Sequence, residues 1–268
     1  MNEKAPAPRV PISWKVAALV ILGYCLVTPG LMAVSGVEYD EIFRSADNAI
    51  SAALIPLAAG AVYLVIVLAI LRWDHVFSDP GRLPMNKLLW APLIVMIVAA
   101  LFRYVGAPGD IPFDLVAVII GCGVLVGFTE ETVFRGILLR SLRAGERPEV
   151  QIVLIVSLAF GLFHLTNLAV GSPPAAAVVQ VIIATLSGFV LYFARRATGL
   201  LIAGMALHGF WDISTFLAGT EEGFTSTFGN IAQGLTFANL ALAVFAFIWL
   251  YRKQRNLRLT ESGSLEGA

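Results

Sequence analysis

The sequence predicts an all-α, polytopic membrane protein of about eight transmembrane helices, and three observations carry that prediction. Hydrophobic residues are 58% of the 268 and charged residues 13%, where soluble domains have roughly 45–50% and about 25%. So few charges cannot cover a soluble surface of this size. The apolar residues fall into eight runs close to the ~20 residues that a helix needs to span a bilayer. The basic residues fall in alternate connections, as the cytoplasmic excess of Lys and Arg requires. The 18 Lys and Arg balance the 18 Asp and Glu, so no nucleic-acid partner is indicated.

The first run, Val16–Val34, follows Lys4, Arg9 and Lys15. Its uncharged stretch continues to Val37 and exceeds the ~7–15 apolar residues of a signal peptide, so it reads as a retained span. Ala49–Leu71 comes next. The third run, Leu88–Val105, is interrupted by Arg103 and has Pro92 near its start, but without it the charge alternation fails at several loops. Phe113–Leu139 and Val150–Val170 follow. Gly171-Ser172-Pro173-Pro174 then separates the fifth run from Ala175–Ala194, because proline cannot continue a helix without losing a hydrogen bond. Thr198–Ala218 and Gly234–Tyr251 complete the set.

With both termini cytoplasmic, 15 of the 18 Lys and Arg lie in the inner segments, Arg44 and Arg103 lie outside, and Arg135 falls within a span. The expected location is the cell membrane. The chain reads as one membrane domain over residues 1–268, with a disordered cytoplasmic tail at 252–268. No internal repeat of the two-fold transporter kind is visible. Cys25 and Cys122 sit in apolar runs without metal or disulfide spacing, as packing residues do.

Ionisable residues at membrane depth are costly and mark function by default. The fourth run carries Glu130, Glu131 and Arg135, the fifth His164, and the seventh His208 and Asp212. His75, the remaining histidine, falls in an inner loop. Measured from the inner flanks at ~1.5 Å per residue, Glu130 lies about 15 Å deep, His208 about 18 Å and His164 about 22 Å. This puts the groups in one layer, assigned here to the cytoplasmic half with a polar cavity opening to the cytoplasm. Glu131 and Arg135 are at i and i+4 with the acid first, the favourable order for a helical ion pair. Glu130 points about 100° away and has its natural partners in the imidazoles of other spans. A carboxylate with no full ion pair can take up and release a proton, as a general base or acid must. His208 and Asp212 share a helix face, where a carboxylate can orient an imidazole. Phe134, Phe160 and Phe163 read as packing residues, with a place in a substrate pocket as the alternative, and Thr129, Thr132, Ser157 and Ser187 as hydroxyls bonded back to their own helices.

Three motifs then line up in order. Glu130-Glu131-Thr132-Val133-Phe134-Arg135 is E-E-x-x-x-R, Phe160-Gly161-Leu162-Phe163-His164 is F-x-x-x-H, and His208-Gly209-Phe210-Trp211-Asp212 is H-x-x-x-N/D. Over residues 124–212 the chain resembles the CPBP family of CAAX prenyl endopeptidases and bacteriocin-processing (Abi) enzymes. The resemblance implies a CAAX-protease-like helical core and an intramembrane endopeptidase cleaving near the cytoplasmic leaflet. In that reading Glu130 and His164 activate water, His208 and Asp212 support the oxyanion, and Glu131 and Arg135 brace the site. No cofactor is implied, and the partners are the bilayer and a peptide or protein substrate, possibly lipid-modified. Asp212 departs from the Asn of the prenyl endopeptidases, and an ionised aspartate cannot donate to an oxyanion. Three other readings are compatible with the residues: a zinc-dependent site using Glu130, His164 and His208, a non-catalytic immunity or scaffold protein, and a proton-coupled transporter.

Overall fold

A computed structural model describes residues 7–266. It contains eight helices long and apolar enough to cross a membrane: α1 Trp14–Val34, α2 Ala46–Leu71, α3 Lys87–Val105, α4 Phe113–Ala144, α5 Glu149–Val170, α6 Pro174–Thr198, α7 Leu201–Ala218 and α8 Thr227–Asn256. All eight expected spans are present, including the third.

Local sequence sets their ends. The Ser13 side chain accepts from the Val16 amide to cap α1, and Asn86 does the same for α3 through the Leu89 amide, satisfying donors that have no partner inside the helix. Gly199 closes α6 at φ +75°, with its amide on the Arg195 carbonyl, a left-handed turn that costs glycine little.

Two spans change pitch where the polar residues lie. In α4 the α-helix gives way to a π-helix over Thr132–Leu138, immediately after Glu131. In α5 it tightens to a 3₁₀-helix over His164–Val170, beginning at His164. Such departures rotate the following side chains relative to a uniform helix and recur at functional sites.

α4 packs along α7, α5 along α6, α3 along α8 and α1 along α2. Small residues bring the first two pairs close. A Cβ on Gly127 would stand 2.4 Å from the Met205 carbonyl oxygen, and one on Gly161 would stand 2.7 Å from that of Val181. Backbones that approach so closely hold membrane helices together by dispersion rather than by exclusion of water.

The connection between α2 and α3 is held against the α6–α7 corner. The Asp79 amide donates to the Gly199 carbonyl at 2.7 Å, and the Leu201 amide to the Phe77 carbonyl at 2.9 Å. Arg195 donates to the Val76 and His75 carbonyls. His75 itself is largely exposed, as expected of a loop histidine. Both cysteines are free thiols, and Cys122 is buried.

The last helix runs beyond its membrane segment as Thr227–Glu266, so residues 252–266 are helical where the sequence reading expects a disordered tail. The start of this extension is tied down, because the Gln254 side chain accepts from the Val150 amide at 3.0 Å. Residues 267 and 268 lie outside the described residues.

Candidate active site

The six polar residues singled out from the sequence occupy one region where α4, α5 and α7 meet. Glu131 is fully buried and its Oε1 receives two donors. Arg135 Nη1 lies at 2.7 Å, the expected i, i+4 pair, and His208 Nδ1 lies at 3.0 Å. Arg135, also fully buried, donates through Nη2 to the Gly188 carbonyl on α6. It rests over the Phe160 ring, 4.1 Å from its centroid, a cation–π contact strengthened by the lack of water. The pair therefore ties α4 to α6 and α7.

Because a carboxylate paired with a guanidinium can only accept, His208 Nδ1 carries a proton. The other ring nitrogen then faces the remaining acids. His208 Nε2 is 4.0 Å from Glu130 Oε2 and 3.5 Å from Asp212 Oδ2. The orientation of His208 therefore differs from expectation. Glu131, on another helix, holds Nδ1, while Asp212, its i+4 neighbour, approaches Nε2. Glu130 Oε2 is buried without a hydrogen-bond partner.

His164 bonds Nδ1 to the Phe160 carbonyl of its own helix at 2.9 Å. A carbonyl only accepts, so Nδ1 is the protonated nitrogen and, in the neutral ring, Nε2 is left with its lone pair. His164 makes no ion pair or hydrogen bond with Glu130 among the described residues. Phe160 stands between the imidazoles, its ring edge-on to His164 at 5.0 Å and to His208 at 5.5 Å. It is thus a wall of the cavity, the alternative to plain packing that the sequence left open.

Glu130, His164, His208 and Asp212 all line one cavity of about 540 Å³. Tyr24 supports its wall by donating from its hydroxyl to Thr129 Oγ1 at 2.9 Å. Arg44, which also lines the cavity, has a buried Nη1 with no hydrogen-bond partner. Toward α1–α2 and the start of α6, Asn167 donates to Gln180, which donates to the Tyr39 hydroxyl, each at 2.9 Å. Arg103 stacks over Trp211 at 4.2 Å and donates to Ser214, Thr215 and Thr236. Of these residues, only Arg103 and Arg44 left a trace in the sequence, as lone cations of the outer connections.

The cavity is lined from the end of the bundle opposite the basic connections. Its outer lining comes from Tyr39, Asp40 and Arg44 between α1 and α2, from Asn167 near the end of α5, and from Gly219 after α7. These are the connections poor in Lys and Arg. Toward the basic connections, every residue from Thr129 to Leu139 is buried. Depths of ~15–22 Å from the inner flanks already lie at or beyond the middle of a ~30 Å hydrocarbon core, so a site there need not face inward.

The zinc alternative finds no support in the side-chain arrangement. Among the described residues, no group of three or more His, Cys, Asp and Glu side chains could hold a metal ion, and Glu130, His164 and His208 are not gathered as a ligand set.

Fold and site define a polytopic helical membrane protein with an acid–imidazole cluster buried among its spans. Residues 112–214, from just before α4 to within α7, match the family described as type II CAAX prenyl endopeptidase Rce1-like. Over this core, which holds the site, the chain is similar to that family of membrane proteases. No curated protein matches the chain.

Proposed function

We propose that this protein is an intramembrane endopeptidase in which Glu130 and His164 activate a water molecule and His208 supplies the positive face for the oxyanion. The observation that carries this reading is the convergence of Glu130, His164, His208 and Asp212 on one cavity, with Glu131 bonded to both Arg135 and His208.

Peptide hydrolysis needs a base for water and donors aimed at the developing negative charge. Glu130 Oε2, buried and without a partner, accepts the proton of the attacking water and later returns it to the leaving amine. His164, fixed through Nδ1 by the Phe160 carbonyl, presents Nε2 to hold that water. His208, with Nδ1 anchored on Glu131, directs Nε2 toward the carbonyl oxygen of the scissile bond. Asp212 sits 3.5 Å from that nitrogen, so its carboxylate stabilises the Nε2 proton and leaves donation to the oxyanion to His208. Glu131 and Arg135 are positioning residues that fix the imidazole.

The test is cleavage of a peptide panel by the purified full-length protein, its Glu130→Gln and His164→Ala variants, each with and without a metal chelator. Loss of a general base or acid typically costs ~10²–10⁴-fold in rate, and that loss is expected in Glu130→Gln while the protein still inserts and folds. The parent is expected to keep its activity under chelation. Full hydrolysis by folded Glu130→Gln would sink the mechanism, and chelator-sensitive hydrolysis would restore the metal-dependent alternative.

A further inference from the structure

We propose that the substrate enters the cavity from the extracytoplasmic face, so that the protein acts on peptide segments displayed on the outer surface of the membrane. The chemistry of cleavage rests on the peptidase reading above, but the direction of entry rests on separate observations.

The first is the charge pattern of the connections. The segments leading into and out of the cavity's outer lining, between α1 and α2, α5 and α6, and α7 and α8, contain a single basic residue, Arg44, and several acids, among them Asp40, Glu41, Glu221 and Glu222. The opposite connections carry Arg72, Arg82 and Arg147, and the helix ends that flank them carry Arg140, Arg143, Arg195 and Arg196. An excess of Lys and Arg marks the cytoplasmic side.

The second is which end of the cavity is built from which connection. Tyr39, Asp40 and Arg44 line it from the acidic end, with Asn167 and Gly219 beside them. Asp40 and Gly219 are exposed, whereas Tyr39, Arg44 and Asn167 are half-buried. The lining at this end sets these polar and charged side chains among apolar ones, Met32, Ile42, Phe43 and Phe216, a surface for an extended peptide with both kinds of side chain.

The third is the closure of the other end. Beyond Glu130 the fourth helix is buried along Glu131–Leu139. Deeper still, Asp79 and Glu149 are cross-linked by Arg143 and Arg196. None of these four residues lines the cavity, whereas Asp40 and Gly219, both exposed, line it from the acidic end.

The experiment is cysteine labelling of the full chain in right-side-out and inverted membrane vesicles, using a membrane-impermeant maleimide. The background is Cys25→Ala with Cys122→Ala, and single cysteines are introduced as Asp40→Cys and Gly219→Cys at the outer lining, Ser187→Cys inside the cavity and Arg147→Cys in a basic connection. The expected result is labelling of the first three in right-side-out vesicles only, and of Arg147→Cys in inverted vesicles only. Labelling of Ser187→Cys from the inverted side, or from neither side, overturns the proposal, as does a reversed pattern at Asp40 and Arg147. The readout does not involve cleavage, so an inactive protein with outward labelling sinks the peptidase reading alone, and an active protein with inward labelling sinks the entry proposal alone.

Discussion

Two clusters of ionisable residues lie in this protein, and they are built on different principles. At the basic end, each carboxylate is shared between two guanidinium groups. Asp79 meets Arg143 at 2.6 Å and Arg196 at 3.0 Å, while Glu149 meets Arg143 at 2.8 Å, Arg196 at 2.6 Å and the Tyr192 hydroxyl at 2.6 Å. Where α4, α5 and α7 meet, three acids face one guanidinium and two imidazoles. Only Glu131 is firmly paired, and Glu130 Oε2 is left buried and unbonded. A cluster that serves the fold pairs its charges with each other. A cluster that serves chemistry uses one pair to hold an imidazole and leaves the neighbouring acid free for a proton. The comparison also separates adjacent residues of one helix: Glu131 belongs to the scaffold of the site, Glu130 to its reaction.

Removing one cation from each cluster is the strongest way to break that comparison. Arg135→Ala strands the Glu131 carboxylate where water cannot reach it, and breaking a fully buried pair costs about 3–5 kcal/mol. Arg143→Gln leaves Asp79 and Glu149 both paired with Arg196, and Arg143 is 23% exposed, so the expected cost is near the ~1 kcal/mol of partly solvated pairs. Thermal unfolding of the purified proteins in detergent reads both. Equal losses in the two variants would erase the distinction between the clusters.

Gly204→Ala probes the scaffold role of Glu131 with a smaller perturbation. A Cβ at Gly204 would stand 2.9 Å from Glu131 Oε2, and the carboxylate cannot retreat without loosening Arg135 or His208. Overpacking of this kind costs about 1–3 kcal/mol, expected here as lower thermal stability together with a fall in kcat. A variant as stable and active as the parent would mean that the carboxylate has room to move.

Much of this was legible in the sequence because the membrane imposes strong rules. The eight spans followed from run length and charge alternation, even for α3 with its internal Arg103 and Pro92. The Glu131–Arg135 pair followed from i, i+4 spacing, and it survives although the helix passes into a π turn between them. What periodicity does not encode is which atom of one helix meets which atom of another. The spacing assigned His208 to Asp212, whereas the α4–α7 contact, made close by Gly123, Gly127 and Gly209, puts its Nδ1 on Glu131. Phe160 was left between packing and a pocket wall, because an aromatic ring between two imidazoles looks in sequence like any other apolar residue. Which connections line the cavity was not legible for a related reason: depth along a helix says how far a residue is from a flank, but not which end of the bundle its neighbours fill.

The smallest effect is expected at Asp212, and it bears on how the unpaired cluster works. Asp212→Asn keeps the size of the side chain and a carbonyl oxygen that can still accept from His208 Nε2, while removing a negative charge 3.5 Å from that nitrogen. Glu131 continues to anchor Nδ1 at 3.0 Å, so the imidazole keeps its orientation. If orientation is what the site requires, kcat/KM should change by less than about tenfold, roughly 1.4 kcal/mol. The amide could also add a donor of its own toward the oxyanion, offsetting part of the loss. A folded Asp212→Asn protein with no cleavage would show instead that the positive charge on His208 depends on both acids, one at each ring nitrogen, and that this cluster works as a charge-balanced unit like its counterpart at the basic end.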